Sequence, residues 1–170
     1  MNRAFIGIDP GKSGAIACIY DNKVNMLPMP VEGKEIVVGH IINWLESIYY
    51  SFDSVSLLND WSMKNWYVAY IEKVGAMPKQ GVVSMFNFGF NTGILHGVFR
   101  TLGIPLYTVT PQAWKKEILA GTDKSKQASI DYVLRAYPDV KLFRTERSRT
   151  YDHNMAEALC IAEYAKRKHS

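Results

Sequence analysis

The chain has 170 residues, of which 48% are hydrophobic and 12% aromatic, a composition that fits one ordinary globular core and argues against a disordered chain. Its 20 Lys and Arg against 16 Asp and Glu give a net charge of +4, which permits association with a polyanion without demanding it. No run approaches the roughly 18 uncharged apolar residues that span a bilayer, and Arg3 and Asp9 interrupt any leader-like apolar start. The expectation is a single soluble cytoplasmic domain over residues 1–170 with no membrane partner, in which Cys18 and Cys160, set far apart inside apolar runs, are buried and reduced.

Residues 3–9 alternate, with Ala4, Ile6 and Ile8 on one side and Phe5 and Gly7 on the other, before Pro10-Gly11 breaks the run. This predicts a core strand that delivers Asp9 to its C-terminal end. Apolar runs over 15–20 and 24–29, separated by Asp21-Asn22, complete a three-stranded antiparallel meander. Ile36, Ile41, Ile42, Leu45 and Ile48 have roughly helical spacing and predict a helix over 35–50. A buried strand over 66–71 then ends at Glu72. Residues 77–81 read as a loop, and 82–102 as a long helix on which Gly89, Gly93 and Gly97 recur every fourth residue. Such a stripe suits close packing in a core or a dimer, and Phe86, Phe88 and Phe90 beside it are expected in one or the other. A short strand over 105–109 follows. Thr110-Pro111 supplies a helix cap and first residue, 125–136 is another helix, 139–150 is charged, and a last helix runs from about 152 to 167. Strands alternating with helices place the chain in the α/β class, with no repeat or linker.

The chemistry rests on acids. Asp9 and Glu72 close two strands, and Glu157 lies in the first turns of the last helix, three residues after Asn154 and therefore on the same face. Carboxylates that converge from separate elements suit Mg²⁺, which prefers oxygen ligands, waters and substrate phosphates. Any one of these acids alone would be an ordinary solvated residue or cap. The added signal is DPGKSG after a strand, where Gly11 and Gly14 let the backbone turn tightly and approach a phosphate.

The runs IGIDPGKSGAIA, YIEKVGAMPKQG, TPQAWKKEILAGTDKSKQ and HNMAEALCIAEYA occur in the order found in RuvC-type Holliday junction resolvases, and the resemblance spans nearly the whole chain. It implies a ribonuclease-H-like fold with a mixed central sheet flanked by helices. It also implies a homodimer and four clustered acidic or His positions that bind two Mg²⁺ ions, or Mn²⁺, and cut four-way DNA junctions by paired nicks. Asp9 resembles the first acid, Glu72 the second and Glu157 the last. The position three before that last acid, Asp or His in the family, is Asn154 here. An amide oxygen can face a metal but lacks the charge that draws it in, so weakened cleavage with junction binding retained is expected. Of the two origins for Asn154, natural tolerance or a deliberate Asp-to-Asn change, the family pattern around it favours the second, and His153 is an alternative ligand.

Lys12, Lys79, Lys115, Lys116, Lys124 and Lys126 are the expected phosphate contacts, with Lys115 and Lys126 matching two lysines of the family by spacing. Met77, Lys79 and Gln80 form a loop expected to reach the junction centre. The aromatic that follows the second acid in some relatives is Gly75 here, which argues against a stacking wedge at that point. The competing functions are a ribonuclease-H-like nuclease acting on RNA hybrids or other branched DNA, and a non-catalytic junction-binding protein. An actin-like or sugar-kinase ATPase shares the strand, Asp and Gly-rich turn but needs two lobes larger than 170 residues allow. Helicase partners are not legible in the sequence.

Overall fold

The computed structural model describes residues 3–52, 66–73, 75 and 81–169. β1 (Ala4–Asp9), β2 (Ala15–Tyr20) and β3 (Lys23–Pro28) form the expected antiparallel meander, turned between β2 and β3 by Asp21 and Asn22 at φ 47° and 60°. A small antiparallel pair, β4 (Val31–Glu32) and β5 (Glu35–Ile36), precedes α1 (Val38–Phe52). The expected helix over 35–50 thus begins later, because Gly33 at φ 59° turns a tight hairpin that takes Glu35 and Ile36 into extended backbone. Buried Asn91 pins that hairpin from α2 (Val82–Thr101): its Oδ1 accepts from the Ile36 amide at 3.3 Å and its Nδ2 donates to the Lys34 carbonyl at 3.2 Å.

β6 (Tyr67–Glu72) pairs parallel to β1, and β7 (Leu106–Val109) parallel to β6, so the main sheet has the order β3-β2-β1-β6-β7. Three helices follow: α3 (Pro111–Ile118), α4 (Lys126–Ala136) and α5 (His153–His169). Thr110 and Ser125 cap α3 and α4, each accepting through its hydroxyl oxygen from the amide three residues on.

The two faces of the sheet carry two cores, as strand alternation requires. Ile6 and Ile8 join Ile16, Cys18, Leu45, Tyr67, Ile71, Leu95 and Phe99 under α1 and α2. Ala15, Ala17 and Ile19 meet Trp114, Val133, Leu159 and Ile161 under α3, α4 and α5. Both cysteines are buried and free, one in each core. No helix among the described residues is long and apolar enough to cross a membrane.

One contact decides where the last helix lies. A Cβ on Gly7 would stand 2.1 Å from the Ala158 carbonyl oxygen and 2.2 Å from the Ala162 amide nitrogen, so α5 rests directly on the β1 backbone. Ala156, Ala158, Ala162 and Ala165, all fully buried, keep its inner face thin enough for that approach.

Candidate active site

The acids gather where β1 and β6 end and α5 begins. Parallel pairing of β1 with β6 sets Ile8 opposite Ile71, so Asp9 and Glu72 leave the sheet side by side. The seating of α5 on Gly7 brings Glu157, on its first turns, toward the same edge. The DPGKSG turn folds back over this edge: Gly14 donates to the Gly11 carbonyl at 3.0 Å, and a Cβ on Gly14 would lie 2.0 Å from the Asp9 carbonyl oxygen. Gly11, at φ 132°, lies under the Phe88 ring of α2.

Burial, and then the charges of Glu72, Glu157 and Asp152, push the Asp9 carboxyl up to about 8, against a smaller opposing pull from Arg144. Burial also raises Glu72, while an indole hydrogen bond and Lys115 draw it back. That bond comes from fully buried Trp114, whose Nε1 donates to Glu72 Oε1 at 2.7 Å. Lys115, the next residue on α3, donates to Glu157 Oε1 at 2.7 Å. Neighbouring residues on one helix therefore hold two of the acids, and Asp9 carries the accumulated repulsion.

Asp152 is the N-cap of α5. Its Oδ1 accepts from the Asn154 and Met155 amides at 2.8 and 3.2 Å, and its Oδ2 from Arg144 Nε at 2.5 Å. Burial pushes its carboxyl up, but Arg144 and the helix amides outweigh that and hold it below the ordinary value. Arg144 also donates through Nη2 to the carbonyls of Ser13 and Gly14, the latter at 3.0 Å. It thus straps the DPGKSG turn to the start of α5.

Asp9, Glu72 and Glu157 therefore come together, with half-buried Asn154 and His153 on the first turn of α5. As the side chains are turned here, no three Asp, Glu, His or Cys groups among the described residues stand close enough to hold a metal ion. Three of the acids are instead engaged by donors: Glu72 by Trp114, Glu157 by Lys115 and Asp152 by Arg144. Lys115 lies inside the acid cluster and not on an open basic face. Lys12 is half-buried in the β1–β2 turn, whereas Lys116, Lys124 and Lys126 are exposed around α3 and α4. Met77, Lys79 and Gln80 lie outside the described residues.

Gly89, Gly93 and Gly97 do not serve close packing within the described chain, since a Cβ on any of them would meet nothing within 4 Å. The same helix exposes Val82 at 82%, Phe86 at 70% and Phe90 at 48%, so of the two places expected for Phe86 and Phe90 the core is excluded. Sequence reasoning missed Trp114, Asp152 and Arg144. The Asp before the last helix carried a capping signal, but nothing in one sequence pairs Trp114 with Glu72, 42 positions away.

No protein-family model and no curated protein matches the sequence. Solved structures do. The chain is similar to Thermus thermophilus RuvC, at 15% identity and a TM-score of 0.55, with 94% of this chain and 90% of that one covered. Against T. thermophilus RuvC in complex with a Holliday junction substrate the identity is 16% and the TM-score 0.59, over the same shares. The yeast mitochondrial Holliday junction resolvase Ydc2 follows at 13% identity and a TM-score of 0.50, covering 92% of this chain and 75% of its own. Taken with the sheet order and the helix layers on its two faces, these likenesses show that the chain has the ribonuclease-H-like α/β fold of the RuvC-type resolvases.

Proposed function

We propose that this chain is a structure-selective DNA endonuclease that binds four-way junctions as a homodimer and nicks two opposing strands, with cleavage weakened by Asn154. The observation that carries the reading is the convergence of Asp9, Glu72 and Glu157 at one sheet edge, with Asp9 held up to about 8 by burial and the other acids. An excess of buried negative charge suits a divalent, oxygen-preferring cation. Asp9, Glu72, Glu157 and the amide oxygen of Asn154 would hold two Mg²⁺ or Mn²⁺ ions, which supply an activated water and stabilise the leaving oxygen. Trp114 occupies one oxygen of Glu72 and so orients the carboxylate. Lys115 neutralises Glu157 until an incoming phosphate competes for its ammonium. Lys12, Lys116, Lys124 and Lys126, with Met77, Lys79 and Gln80, are the proposed DNA contacts.

A dimer is supported by the apolar face of α2. Val82, Val83, Phe86 and Phe90 are too exposed for a monomer surface, and the open glycines beside them let a second α2 approach closely. Two-fold symmetry would then set two sites against two strands of a four-way junction. One second reading has a specific observation behind it: Asn154 carries no charge, which favours a junction-binding protein without cleavage.

The test compares this chain with Asn154→Asp on a mobile four-way junction in Mg²⁺, reading gel-shift affinity and nicking together. Equal affinity with nicking gained by the Asp form is expected. Tight binding by both with nicking by neither would overturn the proposed metal site and favour the non-catalytic reading.

A further inference from the structure

We propose that the segment from Lys141 to Tyr151, between α4 and α5, is a strand-binding surface. On it the Phe143 and Tyr151 rings stack a base splayed out of the branched DNA, and Arg147 and Arg149 meet the flanking phosphates. The proposal rests on the junction-binding reading above and extends it to residues that reading does not use.

The segment is fixed in place and displays its aromatic groups outward. Leu142 is fully buried and anchors it in the core under α5, and the Asp152 amide donates to the Leu142 carbonyl at 2.7 Å. Arg144 ties it to the DPGKSG turn beside Asp9, and a closed turn links Thr145 to Ser148 through the Ser148 amide at 3.0 Å. On this frame Phe143 and Tyr151 remain 40% and 45% exposed, with their rings 5.1 Å apart and inclined at 33°. Exposed rings on a segment that Arg144 ties to the turn after Asp9 offer a face to any base regardless of its identity.

Charge selects the occupant. Lys141, Arg147 and Arg149 are exposed, and none of them forms an ion pair among the described residues, whereas Glu146 is the one acid between Lys141 and Tyr151. Among the described residues, Arg144 is the one cation of the segment engaged in an ion pair. An open hollow of about 400 Å³ lies beside Phe143, with Val24, Met26 and Met155 among its apolar walls and Lys141, Arg144 and Asp139 among its polar ones, and it has room for an unstacked base. Cations around exposed rings fit a nucleic-acid strand, whose phosphates and bases need both.

Three pair variants separate the parts, each measured on a four-way junction that carries 2-aminopurine at the branch, across a salt series. Arg147→Gln with Arg149→Gln is expected to lower the slope of log affinity against log salt by about 1.4–1.8, the loss of two phosphate contacts. Phe143→Ala with Tyr151→Ala should lose about 5- to 30-fold in affinity at unchanged slope, together with the quenching of 2-aminopurine. Phe143→Leu with Tyr151→Leu keeps apolar packing and removes stacking, so it should lose as much as the alanine pair while melting like the parent. If the leucine pair binds and quenches like the parent, the rings are a brace and the stacking role is wrong. If the arginine pair leaves the slope unchanged, the segment is off the DNA path, although junction binding by the parent would keep the junction reading. Failure of the parent chain to bind any branched DNA overturns both.

Discussion

Replacing Asp9 by Asn tests the electrostatics of the site without substrate. Folded Asp9 keeps its proton up to about 8, whereas the unfolded chain releases it near the ordinary aspartate value of 3.8. Between those values the folded state binds the extra proton, so stability falls as pH rises through the window and levels off above it. Roughly 4 pH units at about 1.4 kcal/mol each set a ceiling of about 6 kcal/mol. Water at the partly exposed end of the carboxyl brings the expected effect to about 2–3 kcal/mol. Asp9→Asn removes the buried charge, so the two chains should be nearly equally stable at pH 4 in the presence of a chelator. At pH 8.5 the Asn form should be more stable by that amount, a rise of about 4–12 °C in melting temperature for a chain of this size. Urea unfolding of both chains at intervals of one pH unit reads the difference directly. Parallel stability curves from pH 4 to 8.5, or a less stable Asn form at the upper end, would refute the idea that Asp9 carries the repulsion of the cluster.

Trp114→Phe keeps the buried ring and strips the donor from Glu72, and should cost about 1–3 kcal/mol of stability. In the Asn154→Asp background it should reduce nicking while leaving junction affinity within about twofold, as kinetics and gel shift would show. Gly7→Ala forces a methyl group against the α5 backbone and should destabilise the fold by at least about 2 kcal/mol, visible as a lower urea midpoint. Phe86→Arg on the exposed face of α2 should shift the sedimenting species from dimer to monomer and weaken junction binding; a dimer that persists would place the interface elsewhere.

Much of this architecture is written in local patterns. Alternation in residues 4–9 sends Ile6 and Ile8 to one core and Phe5 and Gly7 to the other face, and the cap at Thr110 starts α3 where Pro111 predicts. The convergence of Asp9, Glu72 and Glu157 is legible only because strand ends and a helix start are local signals. What escapes is the long-range pairing. Gly7 reads as one small residue in a strand, yet it sets the height of α5 over the sheet. Lys115 reads as part of a basic run, but the turn of α3 aims it at Glu157, and Trp114 reads as a core aromatic while its indole N–H reaches Glu72. The hairpin at Glu35 and Ile36 escapes for a different reason: the apolar spacing that marks α1 continues into it, and Gly33 alone signals the turn.

The central claim is best tested by mapping cuts on end-labelled DNA in Mn²⁺ with the Asn154→Asp form, offering a four-way junction, the linear duplex of one arm and an RNA–DNA hybrid. The account predicts paired nicks at symmetry-related positions in two opposing strands of the junction, none in the duplex or hybrid, and none in any substrate when Glu157→Gln is added. Cutting of the hybrid in preference to the junction, or junction nicks that survive loss of the Glu157 carboxylate, would contradict it.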